Sequence, residues 1–330
     1  MSKSPAKRDH GGNLDAATTQ YGGERTDWLD LSTGINPVPY PLPEISPEAW
    51  ANLPTQTRLG TLIESAKQAY GTRASLIPFP GAQGVIQTVP RLRDPGHARI
   101  LSPTYNEHRA ALEADGWHVE TVSTIRDLEG ADLAVVVNPN NPDGRKTEPQ
   151  SLKALAGDVG ILIVDESFAE TDEALSLATA LSDAPDTIIV LKSFGKFYGL
   201  AGLRLGFALA TGRLANRLFE LAGPWPVSGP AIEIATQAFT DIGWQDATRQ
   251  RLARDAERLD AIAFSAGWSL IGGTTLFRTY ETPDAAAAQR ALARGRVWSR
   301  VFPYSDTWLR LGLPPPDRWE QLSNAINGTY

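Results

Sequence analysis

Between Leu76 and Leu209 the chain repeats one alternation, a short run of continuous apolar residues followed by a stretch with apolar residues at helical spacing. The runs are SLIPF, ARILS, LAVVV, ILIV, TIIVL and RLGFALA, with patterns such as EHRAALEADG and QSLKALAGD between them. A strand wetted on one side alternates apolar and polar residues, whereas an unbroken Val/Ile/Leu run marks a strand covered on both faces. The pattern therefore predicts an α/β fold with a mostly parallel central sheet covered by helices. In such sheets ligands sit at the carboxyl ends of the strands, so the residues just after each run matter most.

After Arg213 the character changes. RLANRLFELAG, AIEIATQAF and ATRQRLARDAERLDAIAFSAG read as helices, then TTLFRTY and DTWLRLGL as short strands, and DRWEQLSNAI as a closing helix. At roughly 100–200 residues per domain, the 330 residues suggest about two domains. The expected division is a larger α/β domain over residues 46–223 and a smaller α+β domain over residues 224–330, joined near GPWPVSGP. Residues 1–45 are rich in Gly and Pro and are expected to form an irregular arm packing on the smaller domain and the active site. No internal repeat or low-complexity segment is present.

Composition narrows the chemistry. There is no cysteine, which removes disulfides, thiolate nucleophiles and thiolate metal sites. The 4 histidines show no HxxxH spacing, so no metal site is expected. A net charge of -7 argues against nucleic acid as a partner. The start MSKSPAKRDHGGNLDAA has positive charges with no apolar run behind them, and no later run is long enough to span a membrane. A cytoplasmic enzyme is the resulting expectation.

The strand ends carry suggestive residues: Gly81 to Gly84 after SLIPF, Asn138 to Gly144 (NPNNPDG) after LAVVV, Asp165 to Ser167 after ILIV, and Lys192 to Lys196 (KSFGK) after TIIVL. Arg204 stands at the start of RLGFALA. Alone, PGAQG or NPNNPDG is an ordinary turn. ILIVDE also matches the acidic strand end of P-loop nucleotide hydrolases, but the required GxxxxGK[ST] is missing.

In this order and spacing the motifs resemble the fold-type-I aminotransferase superfamily, over nearly the whole chain from STGINP to WLRLGL. The resemblance implies pyridoxal 5'-phosphate as cofactor. By match of motif, Lys196 is the lysine that bonds the cofactor, Asp165 pairs with its pyridine nitrogen, Asn141 bonds the ring O3', and Tyr105 in SPTYNEH stacks on the ring. Gly81, Ala82 and Gln83 match a helix N-terminus that offers free N–H groups to the phosphate, and Ser193 and Arg204 match the hydroxyl and guanidinium that complete the cradle. Lys196, Asp165 and Tyr105 are the implied catalytic residues. Two positions depart from the wider superfamily: Phe168 replaces a tyrosine, and Leu53 stands where a partner-subunit tyrosine often reaches the phosphate.

The reaction is chosen by the grip on substrate. Arg310 in TWLRLGL matches the arginine that binds a substrate carboxylate, and Arg300 in WSRVF matches one that reaches a substrate phosphate. HGGN (His10 to Asn13), followed by YGG, LDLSTGINP with Gly34 and Asn36, and VDESF, is similar to the L-threonine-O-3-phosphate decarboxylases of cobalamin biosynthesis. That resemblance implies a homodimer in which His10, Asn36 and Arg300 hold the substrate phosphate, Arg310 lies near the carboxylate, and Gly34 is a further substrate-binding residue. Every cofactor residue is equally compatible with a histidinol-phosphate-type aminotransferase. A non-catalytic binding protein of this fold and a nucleotide-binding α/β protein are the readings from other classes.

Overall fold

The computed structural model describes residues 10–328; the MSKSPAKRD start, on which the absence of a leader was read, lies outside them. The chain divides into two compact units. The larger is Val38–Ala253 with Gly273–Thr275; the smaller comprises the described residues up to Pro37, then Arg254–Gly272 and those from Leu276 onward.

The first segment is more regular than an irregular arm. It contains α1 (Leu14–Tyr21), capped by the Asn13 side chain, and β1 (Leu29–Asp30), which pairs in parallel with Val297–Trp298. Leu31 N–H donates to the Trp298 carbonyl, and Gly312 N–H donates to the Leu31 carbonyl. These long-range backbone bonds are invisible to local pattern, which registers only the Gly and Pro between them.

The larger unit follows with α2 (Pro47–Ala51), α3 (Gln56–Ala69), β2 (Ser75–Pro80), α4 (Gly81–Thr88), β3 (His97–Leu101), α5 (Glu107–Ala114), β4 (His118–Val122), β5 (Leu133–Val137) and α6 (Pro149–Leu155). It continues through β6 (Ile161–Asp165), β7 (Ile188–Ser193), α7 (Phe194–Phe197), β8 (Leu205–Ala210), α8 (Gly212–Ala222) and α9 (Gly229–Thr240). Its sheet runs β2-β8-β7-β6-β5-β3-β4. The central strands β5, β6 and β7 are buried at every position, as their unbroken apolar runs demand. At one edge β2 carries Pro78 and Pro80, which have no N–H to give to a second neighbour; at the other, β4 (HVETV) is mostly wet and polar, which is why it escaped notice in the sequence.

β8 is antiparallel to both β2 and β7. Its register opposes Pro80 to Leu205 and Ser193 to Gly206, while Asp165 opposes Leu191 and Val137 opposes Asp165. The start of β8 therefore shares an edge with the ends of β2, β5, β6 and β7, and the motif residues meet there.

The unit boundary falls later than residue 223. α9 belongs to the larger unit: its Glu233 accepts from Ser46 N–H and Oγ and from Arg58 Nη1 at 2.8 Å, and Gly229 leaves no room for a Cβ against the Ala49 carbonyl. α10 (Ile242–Ser265) carries the chain onward, followed by β9 (Ser269–Thr274), β10 (Phe277–Glu281), α11 (Ala285–Arg294), β11 (Val297–Trp298), β12 (Arg300–Phe302), β13 (Ser305–Gly312) and α12 (Trp319–Asn327). A four-stranded sheet, β12-β13-β10-β9, forms the centre of the smaller unit.

Candidate active site

At the shared edge of the larger sheet lies a cavity of about 150 Å³. Gly81, Ala82, Gln83, Tyr105, Asn141, Asp165, Ser193, Lys196 and Arg204 all line it, so the structure brings together all nine residues the sequence singled out for a cofactor.

Each is delivered by a turn at a strand end. β6 ends in Asp165, only 2% exposed. Burial pushes its carboxyl up, but His108 and Ser167 outweigh that and hold it below the ordinary range. His108 Nε2 donates to Oδ2 at 2.8 Å, and Ser167 donates to Oδ1 through N–H at 3.0 Å and Oγ at 2.5 Å. An acid so held stays ionised and can keep a protonated ring nitrogen beside it. His108 was missed in the sequence, although its place three residues after Tyr105, near the start of a helix, was a signal.

β7 passes into α7, which carries Lys196. Lys196 Nζ lies 5.4 Å from the Phe168 ring centroid, so an apolar face stands beside the amine. Lys192, the other lysine of KSFGK, points to different work. It is buried and pairs with Glu166 at 2.7 Å beneath the strand ends.

The phosphate-sized end is formed by the first turn of α4. Gly81 has φ +75, and a Cβ on it would stand 2.9 Å from Arg204 Nη2. Gly206 likewise leaves space that a Cβ would fill against the Ala82 N–H. Backbone donors, a serine hydroxyl and a guanidinium thus converge with no side chain between them, a donor set suited to a phosphate. Asn140 ties the loop bearing Asn141 to the loop bearing Tyr105, donating to the Pro103 carbonyl at 2.9 Å and accepting from Thr104 Oγ1 at 2.6 Å.

His10, Gly34, Asn36, Arg300 and Arg310 are all in the smaller unit. Arg300 and Arg310 stand directly opposite in the β12–β13 register, and both guanidiniums lie within 6.0 Å of the Phe302 ring centroid. Two cations at one cross-strand pair repel, a cost that an anion between them removes. Arg310 Nη2 also donates to the Ser32 carbonyl at 2.6 Å, and Gly12 N–H donates to Ser32 Oγ at 2.7 Å. The HGGN backbone and Arg310 therefore meet at Ser32, two residues before Gly34. His10 is exposed and Asn36 is buried.

The family model "Aminotransferase class I and II" matches residues 28–326. The chain is 43% identical over 316 residues to a threonine-phosphate decarboxylase of Sinorhizobium sp, covering 93% of each, and 40% identical over 328 residues to that of Pseudomonas aeruginosa, covering 97% of each. Its fold matches the crystal structure of histidinol-phosphate aminotransferase from Sinorhizobium meliloti in complex with pyridoxal-5'-phosphate, with a TM-score of 0.81 at 19% identity over 100% of this chain and 99% of that one. With the strand-end constellation and a family match across most of its length, the chain belongs to the class I and II aminotransferase family.

Proposed function

We propose that the chain is a pyridoxal-phosphate-dependent decarboxylase of L-threonine O-3-phosphate, releasing carbon dioxide and the phosphate ester of 1-aminopropan-2-ol. The cofactor half of the reading rests on the single cavity lined by Lys196, Asp165, Asn141, Tyr105, Ser193, Arg204 and the Gly81–Gln83 turn; the choice of decarboxylation, on which that cavity is silent, rests on similarity. It is supported by near-full-length relatives of that name.

The residues present fit the cofactor. Lys196 would hold it covalently, Asp165 at the ring nitrogen, Asn141 at O3', Tyr105 against the ring face, and the α4 turn with Ser193 and Arg204 at the phosphate. When bound, pyridoxal phosphate supplies an electron sink for the pair left on the substrate Cα. Asp165, kept ionised by His108 and Ser167, holds the ring-nitrogen proton in place. Arg310 offers a planar fork for the substrate carboxylate, and Arg300 a second cation for its phosphate, with His10 and Asn36 completing that grip and Gly34 a further substrate-binding residue. A proton returns to Cα once carbon dioxide has left, with Lys196 Nζ and water as the two candidate donors.

The chain acts, on this reading, as a cytoplasmic homodimer whose product enters cobalamin assembly. Leu42, Trp50 and Leu53, exposed within one short stretch of the larger unit, supply apolar surface for such a contact. No helix among the described residues is long and apolar enough to cross a membrane. The test is carbon dioxide release from L-threonine O-3-phosphate with no keto acid present. Sustained turnover is expected; a single stoichiometric conversion would make the protein an aminotransferase instead.

A further inference from the structure

α5 opens with two buried titratable side chains in succession, Glu107 and His108. His108 holds Asp165, at the ring-nitrogen end of the cavity. Glu107 reaches the opposite end: its Oε2 accepts from Gln83 Nε2 at 2.9 Å. Gln83 is the third residue of α4, in the turn whose free N–H groups border the cavity. Neither helix has a side-chain cap, since Pro80 precedes α4 and the Asn106 side chain makes no capping bond to α5. The Glu107–Gln83 bond therefore ties together two helix starts that no cap secures.

We propose that Glu107 is a positioning residue for the phosphate end of the cofactor site, acting through Gln83 to hold the first turn of α4 so that its N–H groups stay aimed into the cavity. The inference rests on the reading of Gly81–Gln83 as the phosphate cradle. Charge alone would argue against an acid here, because an ionised carboxylate near a phosphate repels it. Its value is as a fixed acceptor, and as a negative charge in the first turn of α5 it also suits the helix dipole. One short helix start thus braces both ends of the cavity, His108 at the ring and Glu107 at the phosphate.

The test compares binding of pyridoxal phosphate with binding of pyridoxal, which lacks the phosphate, by the visible absorbance of each bound form. Glu107→Leu is expected to weaken pyridoxal phosphate about 10-fold, the worth of one hydrogen bond, and to leave pyridoxal unchanged. Glu107→Gln keeps an acceptor and removes the repulsion, so its affinity should equal or exceed that of the parent. A purely structural role would weaken both ligands alike in Glu107→Leu, and that result, an unchanged ratio, or equal damage from Glu107→Gln would overturn the proposal. If Glu107→Leu does not fold, Gln83→Met cuts the same tie from the other side and must lower the same ratio. Arg204→Met reports on the cradle itself. Should it leave the ratio unchanged, the cradle reading fails; should it lower the ratio while Glu107→Leu does not, only the role of Glu107 falls.

Discussion

Glu170, five residues beyond Asp165, is a carboxyl placed where ionisation is expensive. It is 7% exposed, and among the described residues no side chain hydrogen-bonds either carboxyl oxygen. Burial pushes it up to about 7 from an ordinary 4.5; the Lys192 and Arg249 cations pull the other way and Glu166 adds to the rise. Between those two values the native state binds a proton that the unfolded chain has released, so stability falls as pH rises through this window and stays reduced above it. A shift from 4.5 to about 7 makes the penalty about 3 kcal/mol at pH 8 and roughly 1 kcal/mol at pH 5. Glu170→Gln keeps the shape and cannot ionise. In a unit of this size each kcal/mol moves the melting temperature by about 2–4 °C. The variant should therefore melt about 6–12 °C above the parent at pH 8 and only about 2–4 °C above it at pH 5, read by scanning fluorimetry of the holoenzyme in matched buffers. An equal shift at both pH values would refute the reasoning, because a packing effect has no reason to follow the titration of this group.

Three further outcomes are expected. Lys196→Ala should remove both the visible cofactor band and carbon dioxide release while leaving the circular dichroism spectrum of the protein unchanged; full activity in the variant would refute the site. His108→Leu removes one bond from a charged acceptor, worth about 1.5–3 kcal/mol, so the Asp165 carboxyl should rise from its depressed position. Because the parent carboxyl is depressed, its charge is lost only as pH falls, and the acid limb of kcat/KM should move to higher pH in the variant; an unmoved limb would count against the Asp165 role. Arg310→Lys replaces a planar fork by a point charge and should raise KM for threonine phosphate about 10-fold or more, with a smaller change in kcat. A KM within a factor of two of the parent would place carboxylate recognition elsewhere.

The nine cofactor positions were legible because eight follow an apolar run and Arg204 opens one, and a run announces its own strand. Their partners were not. His108, Ser167 and Asn140 look like any polar residues until the chain brings the first two against Asp165 and the third against Pro103 and Thr104. β4 escaped because an edge strand needs no apolar run, and β1 because two residues carry no period. The place of α9 in the larger unit depends on Glu233 meeting Ser46 and Arg58, nearly two hundred residues away in sequence.

By itself the sequence determined the α/β class, the strands that lie in the core and the residues that end them, because burial on both faces leaves a local signature in side-chain type. Only the tertiary structure decided that β8 runs antiparallel between β2 and β7, which sets Arg204 beside Gly81 and Ser193, and that Arg300 faces Arg310 across two strands. Strand order and register are set by contacts between distant segments, and no local pattern encodes which segment each will meet.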